Sequence, residues 1–175
     1  MPVDVAQVEI DSVMMHKSYP GYLQAKSTVD LVARVNGYLK SQEYKAGDFV
    51  SAGQVLFRIE DTQYRDAVEQ ARARLESARS ANVYNTNHYE AVKKALQSDA
   101  VSQMEVVQAE SAMKQSQADI KNAQAALETA LTTLGYCTVR APFAGHVSSS
   151  TPDPGAYLSG AGAPVKLATI YDDSQ

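Results

Sequence analysis

Apolar and polar positions alternate along the first sixty residues. "VDVAQVEI" (Val3–Ile10) does so, and "VDLVARVNGYL" (Val29–Leu39) is rich in β-branched residues and runs across a glycine. Period-two alternation puts every second side chain on one face, the pattern of a half-buried strand. "YPGYLQA" carries a Pro-Gly turn signal, and "AGDFVSAGQVLFRIED" reads as two short strands separated by Ser-Ala-Gly. After Asp61 the period changes. No proline or glycine occurs between Asp61 and Leu134, and Ala, Glu, Gln and Arg dominate, all strong helix formers except that Ala leads them. Beyond Gly135 the glycines and prolines return and the pattern is β again. The order β, long α, β predicts an α+β chain in which one β module is interrupted by helices.

Within the helical stretch the apolar and small residues keep a 4-3 spacing. The first run is Tyr64, Val68, Ala71, Leu75, Ala78, Asn82, Asn85, Tyr89, Val92 and Leu96. The second is Val106, Ala109, Met113, Ser116, Ile120, Ala123, Leu127, Ala130 and Leu134. A sustained 3.5-residue period is a coiled-coil seam. Folded antiparallel around Asp99, large residues meet small ones: Val68 with Ala130, Ala71 with Leu127, Leu75 with Ala123, Ala78 with Ile120, Tyr89 with Ala109. Asn82 and Ser116 share a polar layer, which costs stability and sets register. Each helix is predicted to be roughly 50 Å long at 1.5 Å per residue. Ser102 and Glu105 form an S-x-x-E capping box for the second helix, with Val101 and Val106 placed as a hydrophobic staple. Gly135 is the expected C-terminal stop, and Asp61 the expected cap of the first helix.

The two β parts repeat one phrase. "ARVNGYL" and "APFAGHV" align on Gly37 and Gly145, so that Val35 matches Phe143 and Leu39 matches Val147. Ten residues on, Gly47 matches Gly155, and "GDFV" stands against "GAYL". "VLFRI" ending at Ile59 then matches "VKLATI" ending at Ile170, after three extra residues. Glycines at matched spacing predict matched turns at Gly37, Gly47, Gly53, Gly145 and Gly155. Each copy has one apolar face, so the expectation is two sheets, one per copy, burying those faces against each other.

Composition narrows the function. The 175 residues are 45% apolar and 21% charged with a net charge of −4, the profile of a folded chain without the basic patch of a nucleic-acid binder. No apolar run is long enough to span a bilayer. The first residues lack the basic and apolar regions of a signal peptide, which leaves a cytosolic chain or an export signal outside this stretch. Chemistry is hard to find. His16, His88 and His146 lie in separate segments without a second ligand at metal-binding spacing, and Met14 and Met15 would point to opposite faces of a strand. "SGAGAP" (159–164) lacks the Gly-Lys-Ser/Thr of a phosphate loop. Cys137 reads as a buried structural thiol. No catalytic residue, metal site or cofactor is expected, and no nucleophile stands in a catalytic frame.

The two half-motifs resemble those of a biotinyl/lipoyl-type domain, the barrel-sandwich hybrid. Carrier proteins of that type modify a lysine in the hairpin between the halves; here that place reads "RIEDTQY" (Arg58–Tyr64), with no lysine, and the helices leave from it. With "DAVSQMEVVQA" at the turn and "YCTVRAPFAGHV…PGAYL" after it, the arrangement resembles the periplasmic adaptors, or membrane fusion proteins, of bacterial tripartite efflux pumps. The resemblance implies a periplasmic protein attached to the inner membrane by a lipid or N-terminal helix. It implies rings that link an inner-membrane transporter, of the resistance-nodulation-division type, to an outer-membrane channel. Lipoyl-like domains would pack side by side and hairpin tips would meet the duct. It also implies a β-barrel and a membrane-proximal domain beyond this stretch, which would make the chain a truncated fragment. On this reading residues 1–28 are a strand segment leading from the barrel, 29–60 and 135–172 the lipoyl-like domain, and 61–134 the hairpin, its tip near 97–102. Many adaptors carry arginine, leucine and serine at the tip. Ser102 matches the serine, Ala95 and Ala91 stand at the other two places, and Leu96 is one place off. Ala91, Ala95, Leu96, Ser98, Asp99, Val101 and Ser102 are therefore the candidate duct contacts. A carrier domain with a covalent cofactor, and a cytosolic coiled-coil scaffold, are the competing readings.

Overall fold

The computed structural model describes residues 1–172 except 8–10, 13, 21, 23, 99 and 161–163. Among these residues ten elements follow in order: β1 (Ser27–Val32), β2 (Gly37–Gln42), β3 (Phe49–Val50), β4 (Val55–Ile59), α1 (Thr62–Leu96), α2 (Gln103–Gly135), β5 (Thr138–Arg140), β6 (Gly145–Val147), β7 (Tyr157–Leu158) and β8 (Lys166–Asp172). The strand predicted for Val3–Ile10 is not found: none of the described residues before Ser27 is in a strand, and Val8–Ile10 lie outside the described residues. Alternation alone supplies a face; it does not supply a neighbouring strand.

The eight strands form two four-stranded sheets, ordered β1-β8-β6-β3 and β5-β4-β2-β7. This corrects the expectation of one sheet per copy. Each sheet takes two strands from each copy, and exchanging the copies converts one strand order into the other. The module is a pseudo-two-fold interleaving of its halves. Pairing and hydrogen bonds obey the same exchange. Gly37 pairs with Leu158 and Tyr38 with Tyr157 in one sheet; Gly145 pairs with Val50 and His146 with Phe49 in the other. Gly155 N–H donates to Leu39 O at 2.7 Å, and Gly47 N–H donates to Val147 O at 2.8 Å. Leu39 N–H donates to Ala156 O, as Val147 N–H does to Asp48 O. The core between the sheets is paired likewise: Leu39 with Val147, Val50 with Leu158, Leu56 with Leu167 and Ile59 with Ile170 are all buried. Phe57 is fully buried, with the Tyr44 ring set edge-on at 5.4 Å. Val35 is buried, and its counterpart Phe143 packs half-buried against the same core.

The repeated glycines serve two different needs. Gly47 and Gly155 have φ of 87° and 94°, the left-handed region where a Cβ is costly. Gly53 shares that conformation. Gly145 does not, which corrects its reading as a turn. It sits in β6, and a Cβ there would lie 2.1 Å from the Tyr171 carbonyl oxygen. Gly37, its partner by the pseudo-two-fold, would bring a Cβ to 2.9 Å from Ile59 Cγ2. Gly135 is corrected too. It is the last helical residue of α2, without positive φ, and Tyr136 follows in helical conformation as the C-cap.

Candidate functional site

The helical hairpin leaves the module between β4 and β5, where a carrier domain would present its lysine. Burial along it follows the predicted seam. On α1, Val68, Ala71 and Leu75 are buried, and Ala78, Asn82, Asn85, Tyr89, Val92 and Leu96 are half-buried. On α2, Val106, Ala109 and Ser116 are buried, and Met113, Ile120, Ala123, Leu127, Ala130 and Leu134 are half-buried. One contact pins the register: Ser116 Oγ lies 3.1 Å from Asn82 Oδ1. Ser116 is 2% exposed, so its hydroxyl needs an internal partner. The Met113 carbonyl, 2.8 Å away, takes the hydroxyl proton. Turning the Asn82 amide by half a turn lets its N–H₂ donate to the free lone pair of Ser116, so both groups are satisfied. Asn82 opposite Ser116 is the register in which the predicted large-to-small pairs share one seam.

The base of the rod is tied by Asn36. Its carbonyl accepts from the Tyr64 hydroxyl at 2.8 Å and from Gln63 Nε2 at 3.4 Å, while its side-chain oxygen accepts from Gly160 N–H at 2.8 Å. Gly160 is required there, because a Cβ would sit 2.3 Å from Val35 N. The Arg34 guanidinium lies 4.0 Å from the centre of the Tyr136 ring. These residues link β1–β2, the start of α1, the end of α2 and the β7–β8 connection. Sequence reading missed Asn36 and Gly160, whose only signal was an Asn-Gly pair and a glycine in a polar loop. Asp61 does not cap α1 through its side chain; its carboxylate instead pairs with Arg65 at 2.7 Å. A charged partner one turn along outcompetes a neutral amide for that carboxylate. Cys137 is buried, and burial pushes its thiol up to about 11.

At the far end α1 stops at Leu96 and α2 starts at Gln103. The Ala95 carbonyl closes the turn by accepting from Ser98 N–H at 3.2 Å, Ser98 Oγ at 2.9 Å and Ala100 N–H at 3.1 Å. Ser102 caps α2: Glu105 N–H donates to its Oγ at 3.3 Å, and its own N–H donates to Glu105 Oε2 at 2.8 Å. Of the candidate contacts, Ala91, Ser98 and Ser102 are exposed, and Ala95, Leu96 and Val101 are half-buried. Asp99 lies outside the described residues. The structure thus gathers Ala95 and Ser98 into the turn, and turns Ser102 toward Glu105. Exposed apolar side chains off the seam were not anticipated: Val83, Tyr84, Met104 and Val107. The Tyr84 and His88 rings stack 6.1 Å apart beside a groove that Val92, Val101 and Ala112 also line.

Among the described residues no helix is long and apolar enough to cross a membrane, and no group of His, Cys, Asp or Glu could hold a metal ion. The rod, its capped tip and its tied base are what the geometry offers. Comparison with known proteins agrees with that architecture. Residues 27–171 match the family described as RND MFP, barrel-sandwich hybrid domain. The chain belongs to this family of membrane fusion proteins. It is 32% identical to the membrane fusion protein MtrC of Neisseria gonorrhoeae over 168 residues, which cover 96% of this chain and 40% of MtrC. It is 28% identical to the multidrug efflux pump subunit AcrA of Escherichia coli K12, over 96% of this chain and 42% of AcrA. The chain therefore spans about two fifths of the length of these relatives. The solved structure of MacA from Actinobacillus actinomycetemcomitans shares the fold with a TM-score of 0.74, at 24% identity over 85% of this chain and 50% of MacA.

Proposed function

We propose that the chain acts as the spacer and docking part of a periplasmic adaptor, without catalysis of its own. In this reading it links a resistance-nodulation-division transporter in the inner membrane to an outer-membrane channel for efflux of drugs or other small molecules. The full protein is attached to the inner membrane on the periplasmic side, and copies assemble as a ring. Lipoyl-like modules pack side by side and the hairpin tips meet the channel. The observation that carries this reading is the hairpin itself. Two helices of 35 and 33 residues are locked in one register by a buried polar layer, which makes a rod of about 50 Å. Its tip is closed by a capping box and its base is tied to a β module. A rod of that kind holds two partners at a set distance.

The carrier-domain alternative requires a modifiable lysine between the halves, and Glu60, Asp61 and Thr62 occupy that bend as α1 begins. The test of the adaptor reading places a photo-crosslinking residue at Ala91, Ala95 or Ser98 of the full-length protein in cells. Crosslinks to an outer-membrane channel are expected from these positions and not from Arg72, near the base. Crosslinks equal at both ends, or to no channel while the protein is exported and folded, would overturn it.

A further inference from the structure

A cleft opens where α1 leaves the β module, about 360 Å³ in volume and lined by Gly37, Tyr38, Glu60, Gln63, Asp66 and Tyr157. Its size falls within the range of small-molecule sites. Tyr38 and Tyr157 are cross-strand partners with ring centres 5.3 Å apart at 72°, and they are 54% and 59% exposed. Two aromatic rings left this open forgo burial that a strand pair would ordinarily seek. Glu60 comes from the bend after β4, and Asp66 lies one turn into α1. Among the described residues neither carboxylate has an ion-pair or hydrogen-bond partner; the neighbouring Asp61 is the one that pairs with Arg65. The start of α1 contributes only about half a positive charge, so the cleft keeps a net negative field beside two π-faces.

The pseudo-two-fold provides an internal comparison. The equivalent place on the other sheet has the same edge-on ring pair, Phe49 and His146, 5.4 Å apart at 71°. There the residue matching Glu60 is Tyr171, which carries no carboxylate. The backbone is repeated and the Glu60 carboxylate is not. The repeated fold therefore does not require a carboxylate at the place of Glu60.

We propose that this cleft binds aromatic organic cations, with the Tyr38 and Tyr157 rings taking the π-face and Glu60 and Asp66 the charge. An aromatic cation suits both features at once: cation–π attraction and ring packing from the tyrosines, and Coulomb attraction from the carboxylates. An anion would be repelled, and a neutral aliphatic molecule would use neither. The inference goes beyond the spacer role, since it gives the chain a direct contact with small molecules, and its test needs neither transporter nor channel.

The test titrates ethidium, a planar aromatic cation, with the 175-residue chain and follows fluorescence anisotropy, using anionic fluorescein as comparator. Saturable ethidium binding is expected, weakened by added salt, with no fluorescein binding. The double variant Glu60→Gln, Asp66→Asn keeps the shape of the cleft and is expected to weaken ethidium about tenfold. Tyr157→Ala should weaken it about threefold, while Phe49→Ala, at the equivalent place, should leave it unchanged. The proposal is overturned by absence of saturation up to about 1 mM of the chain, by equal loss in Phe49→Ala, or by unchanged affinity in the double amide variant with the fold intact by circular dichroism.

Discussion

Replacing Gly145 by alanine tests whether the glycine repeat encodes turns or close approaches. In β6 the residue lies against the carbonyl of Tyr171, and an added Cβ would stand 2.1 Å from that oxygen and 2.9 Å from its carbon. Contacts of a Cβ below 3.0 Å essentially never occur, so β6 and β8 must separate locally by about 1 Å, a strain typical of overpacked cores. The atoms in the way are backbone and cannot rotate aside. The pairing of His146 with Tyr171 and the 2.8 Å bond from Ser148 N–H to Thr169 O both lie in the path of that movement. Overpacking of about 1–3 kcal/mol and one or two weakened hydrogen bonds of about 1 kcal/mol each total about 2–5 kcal/mol. For a chain of this size that lowers Tm by about 10 °C. The control is Gly135→Ala, where a Cβ meets nothing within 4 Å in a helical position; it should stabilise by about 0.5–1 kcal/mol. Urea unfolding separates the two parts: the helical signal at 222 nm reports the hairpin, and the near-ultraviolet signal includes Tyr44, packed on Phe57 in the β core. Loss in Gly145→Ala should show first in the tyrosine signal. A Gly145→Ala protein within about 1 kcal/mol of the parent, or a Gly135→Ala protein destabilised by more than that, would refute the close-approach argument.

Cysteines at Leu75 and Ala123 should cross-link within one chain under mild oxidation, since both belong to the register pinned by Asn82 and Ser116; a helical double variant that does not close would exclude that register. Ser102→Ala should cost about 1 kcal/mol of hairpin stability and fray the start of α2, read as faster amide exchange from Gln103 to Val106. The Cys137 thiol should resist a thiol reagent at pH 8 in the folded chain and react once urea unfolds it, because it is buried. Burial also raises Cys137 from 9.0 to about 11 and Tyr44 from 10.0 to about 12. Both groups are held neutral in the fold, so their contribution is complete below pH 9 and is lost as pH rises through about 11 and 12. Urea midpoints measured across that range should fall; a flat profile would show that neither burial is maintained.

How much could be read in the chain depends on how local each feature is. The coiled-coil seam was legible because a helix repeats its environment every few residues: Val68 to Leu96 and Val106 to Leu134 carry their burial in their spacing. Size alternation across the seam, and the polar layer of Asn82 and Ser116, specify the register from the chain alone. The capping box of Ser102 and Glu105 was equally legible, being two residues three apart that satisfy one another. The internal repeat was visible too, since Gly47 and Gly155 each need a left-handed backbone that few residues tolerate. What the repeat builds was decided only in three dimensions. Strands of two or three residues such as β3 and β7 carry no record of their partners, and so the interleaving of the two copies could not be read from either one. The same holds for Gly145, whose requirement comes from a carbonyl on another strand, and for Asp61, whose carboxylate turned to Arg65 instead of to the helix start. It holds most of all for the cleft. Tyr38, Glu60, Asp66 and Tyr157 come from four separate segments, and only strand pairing and the departure of α1 place them around one space.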